Sequence, residues 1–330
     1  MFDNILYIIG NGFDLHHDVA SSYKCFRDWL KKNNPELYEV YSAICEYDAL
    51  WSDFENSLAY VNRDYFINFA ELFLPDYSKD PNDWQAADIL LAGDWARDKA
   101  YELISDLKSA FFKWIKSLKA PESYYRKKLY LDYDARFLTF NYTDFLESQY
   151  GITSSNILYL HGNRRFGKGS IVVGHGDDDN AFDEWWNAKQ YDKPRFTKKG
   201  KRYFKRDHAW KTYRSQLPEY ENIAEGIQAY YEESRKPVER ILRDNDAYFQ
   251  DLYDVKTIYA FGFSFNPIDM PYIRRIIECN DDPGNIRWYI SYYSDNEKSK
   301  LKSTLSDLGI DIENNVQFHP LNHWQMKSSS

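Results

Sequence analysis

The sequence predicts an α/β fold, a mostly parallel sheet with helices on both faces and two largely helical insertions. Three observations carry that expectation. Short runs rich in β-branched and aromatic residues, at 5–9, 136–140, 157–160, 257–261 and 286–293, alternate with longer stretches of helical spacing. The first of them, Ile5-Leu6-Tyr7-Ile8-Ile9, has no polar alternation, as a strand covered on both faces requires. Several runs also end in glycine beside a polar or aromatic residue, where parallel sheets place their ligands, beyond the carboxyl ends of the strands.

The first strand stops at Gly10-Asn11-Gly12-Phe13-Asp14-Leu15. Two glycines one apart after a buried strand are the Rossmann-like layout that brings backbone N–H groups to a phosphate, and equally a tight turn needing φ > 0. The third small residue of a dinucleotide fingerprint is replaced by Leu15, and no Asp or Glu closes a second strand about 20 residues on. From Ser22 to about Leu118 the spacing is helical, as at Leu103, Leu107, Phe111, Trp114, Ile115 and Leu118, with breaks at Pro35, Pro75 and Pro81. Within it, Trp51 and Glu55 fall at i, i+4 on one helix face, Trp51 as core and Glu55 as a solvated, capping or site residue.

The second strand runs into Asn141-Tyr142-Thr143-Asp144, the third ends at His161-Gly162, and 170–173 reads as a further strand ending at Gly174-His175-Gly176. Residues 257–261 lead through Gly262-Phe263-Ser264 to Asn266-Pro267, a helix start followed by Met270, Ile273, Ile276 and Ile277. Strands at 286–293 and 316–319 complete the sheet. The whole chain, 1–330, reads as one elaborated domain with helical insertions at 25–130 and 177–254.

Hydrophobic residues make up 43% of the 330, enough for a large core, and aromatics reach 18%, which suits a core, a pocket for flat ligands or an interface. A net charge of −9 argues against wholesale polyanion binding. Three cysteines far apart (Cys25, Cys45, Cys279) suit a reducing compartment and form no zinc cluster. With no apolar run near the ~20 residues of a membrane span and no signal-peptide pattern at the start, the expectation is a soluble, cytoplasmic protein with no membrane partner. Residues 193–206 mix Lys193, Arg195, Lys198, Lys199, Lys201, Arg202, Lys205 and Arg206 with Phe196, Tyr203 and Phe204; such a run is a solvated loop, or binds nucleic acid. His175 before Asp177-Asp178-Asp179 lacks recognised ligand spacing, and no metal is expected.

Gly10-Asn11-Gly12-Phe13-Asp14-Leu15 with Ser22-Tyr23 and Phe26, then Trp51-x-x-Phe54-Glu55, Phe140-Asn141-Tyr142-Thr143, His161-Gly162 and Gly262-Phe263-Ser264-Phe265 with Asp269, resemble in order the motifs of the bacteriophage abortive infection AbiH family. The same series is more distantly similar to sirtuin-like NAD-binding domains through the Gly-x-Gly turn, Thr139-Phe140-Asn141 and His161-Gly162. It departs from them at Thr143, where that group has Asp, and in lacking a four-cysteine zinc module. The first resemblance implies a bacterial antiphage effector, and the second implies NAD hydrolysis to nicotinamide and ADP-ribose, with NAD as substrate.

On that reading Asn141 orients water or a ribose hydroxyl, its alternative being an Asx-type helix cap. His161 takes a proton. Gly10 and Gly12 cradle the pyrophosphate with the N–H groups of Asn11 and Phe13, while Asp14 binds ribose, steadies developing charge or caps the next helix. Tyr142 and Gly162 are further NAD-binding residues, Gly262 and Ser264 border the adenosine half, and Asp269 is a ligand or a first-turn residue favoured by the helix dipole. The other readings are a nuclease or RNA- or DNA-binding effector using Lys198–Arg206, and a nucleotide sensor without turnover. A phage-derived trigger and a homo-oligomer are the remaining partners expected; the roles of Glu55, His175 and the basic run stay open.

Overall fold

The computed structural model describes residues 4–45, 51, 54–59, 61–76, 85–176, 195–196, 202–203 and 218–326. The chain divides into two compact units, one of residues 1–26, 112–172 and 237–330, the other of 27–111 and 173–236.

The first unit is built on six parallel strands: β1 (Ile5–Ile9), β2 (Arg136–Thr139), β3 (Ile157–Tyr159), β4 (Thr257–Phe261), β5 (Arg287–Tyr292) and β6 (Val316–Pro320). Their order across the sheet is β3-β2-β1-β4-β5-β6. This is the doubly wound Rossmann-like arrangement, in which strand order reverses between β1 and β4 and leaves the crevice where such folds hold ligands. The strands alternate cleanly. Leu6, Ile8, Leu138, Ile258, Ala260, Trp288 and Ile290 enter one core with Tyr272, Ile273 and Ile276 of the helix α2 (Met270–Cys279). On the alternate positions Tyr7 stacks on Phe137 at 4.9 Å and on Tyr259 at 5.0 Å, and Tyr259 on Tyr289 at 4.8 Å. Part of the aromatic excess is thus spent on a cross-strand ladder.

Register sets up everything that follows. Ile9 pairs with Thr139 and with Phe261, and Thr139 with Tyr159. The four strands end level, so the residues just after them lie along one edge, with β3 two strand spacings, about 10 Å, from β1. The expected strand at 170–173 does not form: Lys168–Ser170 is a 3-10 turn, and the segment after it is tied back by the Val172 N–H to the His161 carbonyl (3.0 Å) with no ladder continuing it.

The second unit is helical, with helices at Pro35–Ile44, Phe54–Ser57, Arg63–Ala70 and Pro218–Glu233 and the part of Ala86–Ser117 up to residue 111. The last two cross closely at small residues: a Cβ on Gly226 would stand 2.3 Å from the Gly93 carbonyl oxygen. The helix expected to carry both Trp51 and Glu55 is one turn only, Phe54–Ser57. Trp51 precedes it and stacks on Phe54 at 5.4 Å. Glu55 is not solvated; its carboxylate lies 2.9 Å from the buried ammonium of Lys236. His175 is structural here: its backbone N–H donates to Ser234, its carbonyl accepts from Lys236, and its ring Nε2 lies 2.9 Å from the Tyr231 carbonyl. Of residues 193–206 only Arg195–Phe196 and Arg202–Tyr203 are described, as an antiparallel pair; Lys198–Lys201, Phe204–Arg206 and Asp177–Asp179 lie outside the described residues.

Candidate functional site

The edge beyond β1 begins with the helix α1 (Asn11–His16), which follows Gly10 without a side-chain cap. Its glycines mesh with the loop after β4. The Gly12 N–H donates to the Gly262 carbonyl (2.9 Å), and the Gly10 N–H to Phe261 (3.0 Å). A Cβ on Gly12 would lie 2.6 Å from Gly262 Cα, and one on Gly262 would lie 2.1 Å from the Phe13 nitrogen. Backbone packing therefore demands all three glycines whatever binds beside them. The Phe13 N–H donates to Gly10 (2.9 Å), and the Asn11 side chain is tied to Ser21. Gly262 is held in turn by the Ser291 hydroxyl at 2.7 Å, and Ser264 is exposed. Phe265, buried, takes φ +51, a conformation costly to a bulky residue and found where surrounding structure over-determines it.

Asp14 points into the protein. It is 2% exposed and accepts from the Thr143 hydroxyl at 2.7 Å. Burial raises its pKa to about 7; the hydrogen bonds from Thr143 and Asn141 and the positive charge of Arg164 pull it down, and Asp144 pushes it up. Thr143, two residues after Asn141, thus holds a carboxylate from α1. Asn141 is one of the neighbours that favour the ionised form of Asp14, and its Oδ1 is buried with no hydrogen-bond partner among the described residues.

His161, 3% exposed at the end of β3, has its Nε2 3.6 Å from the Asp269 carboxylate. Asp269 arrives there because Asn266 caps the Pro267–Asp269 turn, its side chain accepting from the Ile268 N–H, and α2 begins directly after. Rings enclose the imidazole: Phe140 edge-on at 5.3 Å, Tyr142 at 6.1 Å and Tyr272 at 6.2 Å. The Tyr142 hydroxyl donates to the Val172 carbonyl. Gly162 (φ +82) turns the chain so tightly that a Cβ would meet the Ser170 carbonyl oxygen at 2.0 Å.

The structure thus gathers the site residues into two sets along one edge, Asp14 with Asn141 and His161 with Asp269. They are linked through adjacent Phe140 and Asn141, and Phe140 packs on Phe263 at 4.5 Å. Three residues to which sequence reasoning gives no role belong here, together with His17, whose place beside the glycine loop makes it, with His16, a candidate phosphate contact. Thr143 and Arg164 shape the charge of Asp14, and Arg164 also lies 2.5 Å from Asp144. Asn163, wholly buried, accepts from the Arg165 N–H while its Nδ2 has no partner among the described residues. His17, fully buried, has Nδ1 2.7 Å from the Phe13 carbonyl and Nε2 2.7 Å from the Tyr150 hydroxyl. The one available signal was position: Asn163 and Arg164 follow His161-Gly162 directly, at a strand end where polar residues are otherwise costly to bury.

Among the described residues, no group of three or more His, Cys, Asp and Glu could hold a metal ion, and no helix is long and apolar enough to cross a membrane. The family model described as bacteriophage abortive infection AbiH matches residues 6–292, from β1 to the end of β5. No curated protein matches the chain.

Proposed function

The chain belongs to the bacteriophage abortive infection AbiH family, and from that premise we propose that it serves antiphage defence by binding NAD and hydrolysing it to nicotinamide and ADP-ribose. The observation that carries this reading is the Asn141 amide. Its carbonyl end is a buried acceptor with no donor among the described residues, at the carboxyl edge of a Rossmann-like sheet. A buried acceptor left open fits a water or a ribose hydroxyl. His161 stands on the same edge with Asp269 to orient it. In the reaction water attacks the anomeric carbon of the nicotinamide ribose and gives its proton to His161. The C–N bond breaks, and its electron pair leaves with nicotinamide. Asn141 aligns the water, and the enclosing rings exclude bulk solvent. NAD depletion would halt an infected cell.

Nicotinamide release from NAD by the purified protein, taken with and without phage-infected cell extract, tests this. His161→Ala and Asn141→Ala are expected to lose about 100-fold or more in rate with circular dichroism unchanged. A wild-type protein that arrests infected cells while their NAD stays intact would refute the assignment; saturable NAD binding without product would mark a sensor instead.

A further inference from the structure

We propose that Asn163 is a substrate-binding residue and that, with Asn141, it reads one hydroxyl group: the O–H donates to Asn141 Oδ1, and the hydroxyl oxygen accepts from Asn163 Nδ2. The inference rests on the NAD reading above and adds to it a residue and a polarity. The hydroxyl is that of the nicotinamide ribose or of the attacking water.

The chain fixes which end of the Asn163 amide is open. Gly162, at φ +82, turns the backbone after His161, and Asn163 closes the turn on itself. Its side-chain Oδ1 accepts from the Arg165 N–H at 2.8 Å, and its carbonyl accepts from the Phe166 N–H at 3.0 Å. Turning the amide over would set Nδ2 against the Arg165 N–H, donor facing donor, so the nitrogen has to point the other way. There the residue is wholly buried, and Nδ2 meets no acceptor among the described residues. A donor stranded in a protein interior is costly, and one held in a fixed direction calls for an oxygen to receive it. Asn141 is its converse, 6% exposed with Oδ1 as an acceptor that no donor among the described residues meets.

The two asparagines stand on neighbouring segments. Past the last ladder pair, Thr139 with Tyr159, the Leu160 N–H still donates to the Thr139 carbonyl at 3.1 Å. The Arg164 N–H then donates to the Tyr142 carbonyl at 3.0 Å. Residues 139–142 and 160–164 therefore run on side by side beyond β2 and β3, and His161 lies in the second of them. One desolvated donor and one desolvated acceptor are the complement of a hydroxyl, which offers a proton and a lone pair at the same atom. A phosphate oxygen would satisfy Asn163 but bring no proton to Asn141.

The test measures dissociation constants of the full chain by calorimetry for ADP-ribose and for ADP-ribose lacking the 2′- or the 3′-hydroxyl of its terminal ribose, alongside NAD hydrolysis. Wild type is expected to bind one of the two deoxy compounds about 10- to 100-fold more weakly than ADP-ribose, since both asparagines are then left unpaired. Asn163→Asp keeps the size of the side chain and the acceptor for the Arg165 N–H but, ionised, has no donor; Asn163→Ala removes both. Each is expected to bind ADP-ribose about as weakly as the deoxy compound, which closes the gap. Equal weakening for all three ligands, with the gap kept, would mark a structural role and overturn the assignment while the NAD reading stands. If wild type shows no gap for either compound, a kcat for NAD at least about 10-fold lower in both variants, with KM and melting temperature unchanged, assigns the hydroxyl to the attacking water; any other result overturns the proposal. A wild type that neither binds ADP-ribose nor hydrolyses NAD would show that the NAD reading has failed, and the role of Asn163 would fall with it.

Discussion

Gly262→Ala is expected to cost roughly 4–5 kcal/mol or more and to collapse the parallel-sheet unit, although it adds one methyl group. The new Cβ would stand 2.1 Å from the Phe13 nitrogen and 2.3 Å from the Gly12 carbonyl carbon, both backbone atoms, at φ +62. No side chain can swing aside to relieve the contact. Either α1 lifts off the β4 loop, breaking the Gly12 N–H to Gly262 bond, or the alanine abandons the left-handed conformation and pulls the Gly262 N–H from Ser291. Gly309→Ala is the matched control. It has φ +79 with nothing within 4 Å of its Cβ, so it carries only the conformational penalty, about 1–2 kcal/mol. Thermal unfolding followed by circular dichroism separates the two. A Gly262→Ala melting point within about 3 °C of that of Gly309→Ala would show that the glycine mesh is not what fixes the turn.

That mesh marks the boundary of what the sequence disclosed. Strands β1, β2, β4 and β5 were legible because each is a compact apolar run bounded by glycine or polar residues, and parallel pairing followed from the helices between them. The run at 170–173 has the same composition but is not a strand, because the Gly162 turn commits the preceding segment to packing against Ser170. Composition cannot report such a commitment. In the same way Gly10 and Gly12 carry the chemistry of a ligand-cradling turn, yet the atoms that crowd them belong to Gly262, some 250 residues on. Glu55 looked solvent-facing because its partner, Lys236, is equally remote in the chain. Asn141 and His161 could be singled out by their place after a strand. Their partners Asp14 and Asp269 could be noted but not paired with them, since only the level ends of β1 to β4 bring those loops together.

Asp14→Asn is expected to stabilise the protein at pH 8 by roughly 4 kcal/mol and to change little at pH 4. The sign follows from where the proton sits. In the folded chain Asp14 holds its proton up to about pH 7, against 3.8 when unfolded. Between those values the folded state binds a proton that the unfolded state has released. The resulting stability is fully present below pH 3.8 and is lost as pH rises through 7, at about 1.36 kcal/mol per unit. His17 works in the opposite direction. Burial lowers its pKa to about 4, and its contact with the Phe13 carbonyl fixes the neutral tautomer that accepts from Tyr150. Its contribution, roughly 3 kcal/mol, is present above pH 6.5 and is lost as pH falls toward 4. In the wild type the two largely offset each other from pH 4 to 7. Asp14→Asn leaves the His17 loss uncompensated, so the variant's urea midpoint should climb steeply with pH over that window while the wild-type midpoint stays nearly level. A protonated carboxyl and an amide of the same shape make similar contacts, hence the small difference at pH 4. A variant less stable than wild type at pH 8 would mean that the buried carboxylate is a net support of the fold. A variant both more stable at pH 8 and slower on NAD would mean that the site holds an ionised Asp14 at the expense of stability because the reaction requires it.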